Sequence, residues 1–113
     1  MIYLEIKNLD SKTILLSEKK TILQSIGENH IDWMQACGAK GRCTTCKMVV
    51  LEGGAYLSEL TEIEKKMIEL KKIRKNERLA CQTHPQKEII TATKLIVVEV
   101  PKIYQLPHIY YNN

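Results

Sequence analysis

The sequence predicts an α+β domain. Three observations carry this: short alternating or β-branched runs that read as strands, two capping boxes that open helices, and a long connection rich in cysteine between them. The chain has 113 residues, which fits one domain spanning 1–113, with residues 102–113 as a possible C-terminal tail.

Ile2-Tyr3-Leu4-Glu5-Ile6-Lys7 alternates and reads as a strand. After the turn residues Asn8-Leu9-Asp10-Ser11, the run Thr13-Ile14-Leu15-Leu16 reads as its hairpin partner. Thr21 with Gln24 has the capping-box form, and Gly27 suggests a helix of about two turns. Residues 46–51, with Met48, Val49, Val50 and Leu51, read as a strand closed by Glu52-Gly53-Gly54. A second capping box opens at Thr61 with Glu64. Leu60, Ile63, Met67 and Leu70 then recur at spacings of three and four, the apolar stripe of an amphipathic helix. On that helix Glu62 is spaced to pair with Lys66. Leu95-Ile96-Val97-Val98-Glu99-Val100 is β-branched, apolar nearly throughout, and stops at Pro101, as a strand buried on both faces would. Ile89-Ile90-Thr91 could add a short strand before it. The tyrosine-rich tail from Tyr104 to Tyr111 is expected to pack on the domain or to be partly disordered.

Composition narrows the function. Hydrophobic residues are 44% and charged residues 27%, as in soluble globular proteins. No apolar run is long enough for a membrane helix. Met1 leads straight into the first strand pattern, with nothing that reads as a signal or transit peptide, so a cytoplasmic protein is expected. The net charge of +4 is mild, and the densest basic run, Lys71-Lys72-Ile73-Arg74-Lys75, is short and follows a series of acids. A solvated helix end explains it better than nucleic-acid binding. With five Tyr, one Trp and no Phe, the core must be aliphatic, and Trp33 reads as one of its packing residues.

The four cysteines are Cys37, Cys43, Cys46 and Cys81. Three lie within ten residues and the fourth follows after 34 intervening residues. Three readings compete. Two disulfides would suit an exported chain, but cytosolic thiols stay reduced. A structural zinc site wants four tetrahedral ligands and usually takes them from two knuckles, whereas this chain has a single C-x2-C, with His84 the sole histidine close to a cysteine. A [2Fe–2S] cluster held by four thiolates, three from one loop and one from a distant segment, fits the distribution directly. Gly38 and Gly41, framed by the cysteines, would let backbone N–H groups approach the cluster sulfurs.

Ala36-Cys37-Gly38-Ala39-Lys40-Gly41-Arg42-Cys43-Thr44-Thr45-Cys46, followed by Arg78-Leu79-Ala80-Cys81-Gln82, resembles a [2Fe–2S] ferredoxin. The five-residue gap between the first two cysteines is more like the adrenodoxin-type branch than the plant-type one. The resemblance implies a β-grasp fold: a mixed sheet holding a helix, with a cluster-binding loop at the surface. It implies that Cys37, Cys43, Cys46 and Cys81 bind one [2Fe–2S] cluster. It further implies a monomeric one-electron carrier, not an enzyme, between a ferredoxin reductase and a redox acceptor protein. Acceptors in the family include oxygenases such as cytochromes P450 and the iron–sulfur assembly machinery. The alternative is a zinc-stabilised β-grasp interaction module without redox activity. Neither nucleic acid nor membrane is an expected partner.

Two departures from the resemblance bear on partners. The family usually docks through acids on the helix matching residues 61–70; here Glu62, Glu64 and Glu69 remain, but Lys65 and Lys66 interrupt them, so a mixed docking face is expected. Lys47, directly after Cys46, stands where the branch commonly has a histidine.

Overall fold

The computed structural model describes residues 2–34, 44–86 and 93–112. Along the chain run β1 (Ile2–Ile6), β2 (Lys12–Leu15), α1 (Ile22–Glu28), β3 (Lys47–Glu52), α2 (Glu62–Glu69), β4 (Glu77–Leu79) and β5 (Lys94–Glu99), with single 3-10 turns at Gly54–Tyr56 and Lys102–Tyr104. The strands form one mixed sheet in the order β2-β1-β5-β3-β4.

β1 and β2 make the expected hairpin, with Tyr3 opposite Leu15 and Ile6 opposite Lys12. β5 lies in the centre, parallel to β1 and antiparallel to β3. That position explains its composition: Ile96, Val97 and Val98 are buried in succession, which requires cover on both faces. The pairing of β3 with β5 shifts register between Val50 and Glu52. Just beyond, Gly53 has φ +77°, and its α-carbon passes so close to β5 that an added Cβ would stand 2.4 Å from the Leu95 carbonyl oxygen.

Both capping boxes form. Thr21 and Gln24 cap α1, and Thr61 and Glu64 cap α2, each pair exchanging side-chain and backbone hydrogen bonds. The inward residues of α1, Ile22, Leu23 and Ile26, join Ile2, Leu4 and Ile6 from one face of β1 and Met48, Leu79, Ile96 and Val98 from the rest of the sheet. Trp33 is buried in the same core, as its composition-based reading required.

Three features of the structure depart from or go beyond the sequence reading. First, the apolar stripe of α2 is not a buried face: Leu60 and Ile63 are each 37% exposed and Leu70 is 53% exposed, while only Met67 of the four is packed partly against the core. The fully buried residue of α2 is Glu64, because its charge is met by Arg78 from β4. Second, β4 carries no alternating apolar signal, yet all three of its residues are buried. Third, the ion pair on α2 joins Glu62 to Lys65, at 3.5 Å, rather than to Lys66. The expected strand at Ile89-Ile90-Thr91 lies outside the described residues.

The tail packs back on the domain. Tyr111 lies against the core, the backbone N–H of Asn112 donates to the Asn8 carbonyl (3.0 Å), and Asn112 Oδ1 accepts from the Asp10 N–H (2.7 Å). Among the described residues no helix is long and apolar enough to cross a membrane.

Candidate metal centre

Two of the four cysteines fall within the described residues, and the fold brings them together. Cys46 and Cys81, both buried, have their sulfurs 3.5 Å apart across 35 residues of sequence. A disulfide would hold them at about 2.05 Å. Two thiolates about 2.3 Å from a shared tetrahedral metal lie about 3.8 Å apart. The spacing therefore suits two ligands of one metal ion. Cys37 and Cys43 lie outside the described residues.

Each sulfur is placed by local hydrogen bonding. Cys46 sits in a turn that the Lys47 N–H closes on the Thr44 carbonyl (3.1 Å), immediately before β3 begins. The indole N–H of Trp33 donates to the Cys46 carbonyl (2.9 Å), joining the strand of chain that precedes the cysteine-rich loop to the one that follows it. Tyr104, from the tail, lies with its hydroxyl 3.4 Å from Thr44 Oγ1. The tail also reaches the loop's other stem, where His108 Nε2 is 3.0 Å from Asp32 Oδ2.

Cys81 sits in the turn after β4. Gln82 N–H and Thr83 Oγ1–H both donate to the Leu79 carbonyl, at 2.9 and 2.7 Å. The first amides of α1 fix the same turn from outside: Ile22 N–H donates to Thr83 O (2.8 Å) and Leu23 N–H to Ala80 O (3.0 Å). Those amides have no partner within their own helix, so the Cys81 turn and α1 satisfy each other. The side-chain amide of Gln82 donates to Cys81 Sγ at 3.6 Å. A donor aimed at a ligand sulfur stabilises negative charge there.

Around this pair lie two charge networks. Glu64 accepts hydrogen bonds from Arg78 Nε (2.8 Å), Arg78 Nη2 (3.0 Å), the Leu79 N–H (3.0 Å) and the Thr61 N–H (3.2 Å). Burial pushes its pKa up, but the bonds from Arg78 and Leu79, the charge of Arg78 and the Thr61 bond outweigh it and hold the carboxyl below its ordinary value. Lys47 extends its ammonium to Glu77 (3.4 Å) and over the ring of Tyr104 (5.6 Å to the centroid). Lys47 thus stabilises β4 and the tail rather than reaching toward solvent.

Among the described residues His84 joins no group that could hold a metal, and no three of His, Cys, Asp and Glu gather where one could be held. Gln82, which touches the Cys81 sulfur, and Tyr104, which reaches Thr44 and Lys47 beside Cys46, are not among the site residues the sequence predicts. Only adjacency to Cys81 could have marked Gln82, and nothing local marked Tyr104.

A mixed sheet with two helices, and two buried thiols brought together beside its edge strand, is the architecture of a β-grasp protein. Residues 7–86 match the 2Fe-2S iron-sulfur cluster binding domain, and the chain belongs to that family; its cofactor is one [2Fe–2S] cluster. It is 36% identical over 66 residues to 2Fe-2S ferredoxin-5 of Aquifex aeolicus, covering 58% of this chain and 69% of that one. It is 34% identical over 80 residues to chlorosome protein I of Chlorobaculum tepidum, covering 71% of this chain and spanning 33% of the length of that relative. Among solved structures, the ISC-like [2Fe-2S] ferredoxin FdxB of Pseudomonas putida superposes with a TM-score of 0.71 at 24% identity, covering 100% of this chain and 97% of that one, and so shares the fold.

Proposed function

We propose that Cys37, Cys43, Cys46 and Cys81 hold the [2Fe–2S] cluster, and that the protein carries single electrons from a ferredoxin reductase to an acceptor protein. The observation that carries this reading is the pair of buried sulfurs of Cys46 and Cys81, 3.5 Å apart, with Cys37 and Cys43 close before Cys46 in the sequence. When bound, the cluster supplies one reversible electron. The chain's own residues do the rest. The Trp33 bond to Cys46 and the α1 bonds to the Cys81 turn fix the ligand backbone, so little rearranges when charge changes. Gln82 stabilises added negative charge at Cys81. No group is placed for bond-making chemistry by this reading, and the protein acts as a monomeric carrier rather than an enzyme. Acceptors in this reading are an oxygenase or the machinery that assembles iron–sulfur clusters. Four cysteines used as cluster ligands rather than in disulfides fit a cytoplasmic location.

The test is substitution of each cysteine by serine in turn, followed by visible spectroscopy and reductive titration. All four variants should lose or shift the charge-transfer bands, and the unaltered protein should take up one electron per two irons. A Cys37→Ser or Cys43→Ser protein with an unchanged spectrum would remove that residue from the ligand set.

A further inference from the structure

The outward turn of α2 leaves a surface that the fold does not use. Glu64 and Arg78 neutralise each other inside the protein, so neither contributes to the surface charge. Between residues 59 and 75 the exposed cations are Lys65, Lys66, Lys71, Lys72, Arg74 and Lys75, against the exposed acids Glu59, Glu62 and Glu69. Within residues 61–70 the exposed charges are mixed as expected, Lys65 and Lys66 against Glu62 and Glu69, and it is Lys71, Lys72, Arg74 and Lys75 beyond the helix that make the wider segment positive on balance. Ile63 and the helix-capping Leu70 stand exposed seven residues apart, on one side of the helix, and Leu60 is exposed just before its N-cap.

The end of α2 adds to this. Lys71 takes φ +60° and closes the helix, with its N–H on the Ile68 carbonyl (3.0 Å) and the Lys72 N–H on the Met67 carbonyl (2.8 Å). That motif strongly favours glycine at the left-handed position. A lysine there gives up backbone comfort and presents a cation instead.

The helix that carries this surface lies close, on its buried side, to the candidate metal centre. The Leu79 N–H bonds to Glu64 of α2, and Leu79 lies two residues before Cys81. The Glu64 carboxylate is thus within about 10 Å of the Cys81 backbone.

We propose that this face docks the acidic face of an electron-transfer partner protein, an inference that rests on the carrier reading above. An apolar stripe among charges is the anatomy of a protein interface, with apolar contact inside and a polar rim. Glu62 and Glu69 interrupt the lysines, so the segment offers no continuous basic track for a run of phosphates, whereas a protein face can set its acids against the lysines alone. A second copy of this chain would bring the same cations to the same face and be repelled.

The experiment uses the oxidised holoprotein and two haem-protein probes: cytochrome b5, whose haem edge is acidic, and cytochrome c, whose haem edge is basic. Association is measured at low ionic strength, so its outcome does not depend on electron transfer; the visible spectrum reports separately whether the cluster is present. Cytochrome b5 should bind in preference to cytochrome c. Lys65→Glu with Lys66→Glu should slow its association about tenfold. Lys12→Glu with Lys19→Glu, the same charge change on exposed positions elsewhere, should slow it less than twofold. The difference should shrink as salt screens the charges. Leu70→Ser should speed dissociation without altering the salt dependence. Equal losses from the two double variants would show a net-charge effect only and overturn the proposal. Preference for cytochrome c would also overturn it, as would tighter binding of a DNA duplex that the Lys65/Lys66 variant abolishes.

Discussion

Replacing Glu64 by Gln removes one charge from a buried pair and almost no volume. The magnitude follows from the hydrogen bonds. Both carboxylate oxygens accept: one from Arg78 Nε and the Leu79 N–H, the other from Arg78 Nη2 and the Thr61 N–H. Glutamine has one oxygen. Whichever way it turns, its NH2 group faces two donors, and each lost bond costs about 1–3 kcal/mol. Breaking a buried ion pair from one side costs about 3–5 kcal/mol by direct comparison. Both routes give about 4 kcal/mol, a large share of the ~5–15 kcal/mol that holds a domain together. The assay is amide hydrogen exchange of Arg78, Leu79 and Ala80 in the holoprotein, since a protein with a tight cofactor does not unfold as two states. At about 1.4 kcal/mol per factor of ten, exchange there should accelerate by roughly a thousandfold. Arg78→Met should do comparable damage by leaving the carboxylate buried and unmatched. The double variant should be less damaged than the two losses combined, by at least about 2 kcal/mol. Acceleration under tenfold in Glu64→Gln, or simple additivity in the double variant, would refute the reasoning.

Other outcomes follow from the same geometry. Because the folded pKa of Glu64 lies below its ordinary value of 4.5, the stabilisation is complete above that pH and is lost as pH falls through the lowered value; hydrogen exchange between pH 6 and 3 should therefore show the gap between wild type and Glu64→Gln closing below about pH 4.5. Gln82→Leu removes the donor to Cys81 Sγ and should lower the reduction potential by about 60 mV, a tenfold shift for one electron; an unchanged potential in protein-film voltammetry would show that the bond does no tuning. Gly53→Ala places a Cβ 2.4 Å from the Leu95 carbonyl at a positive φ, and strain plus overpacking should cost about 3 kcal/mol. Calorimetry should then show the melting transition about 10 °C lower or more.

Much of the frame was legible because its signals are local. Thr21 with Gln24 and Thr61 with Glu64 bond within four residues, and both boxes form as read. β1 and β5 announce themselves by alternation and by a β-branched run, and their bounds shift by only a residue. β4 was illegible because Glu77 and Arg78 are buried only through partners 30 and 14 residues away, Lys47 and Glu64. The same long-range pair misled the reading of α2: the periodicity of Leu60, Ile63, Met67 and Leu70 is present, but Arg78 draws Glu64 inward and leaves most of that stripe in solvent. At the metal centre, spacing marked the cysteines. The meeting of Cys46 with Cys81, and the Trp33 and Tyr104 contacts beside Cys46, depend on chain segments that only the fold brings together.

The central claim is that the cysteine centre carries an iron–sulfur cluster that exchanges one electron. Metal and acid-labile sulfide analysis of protein made in iron-replete cells tests it most directly. Two irons and two sulfides per chain, in a red-brown protein that one electron bleaches, is the result the account predicts. A colourless protein with stoichiometric zinc and no sulfide would contradict it.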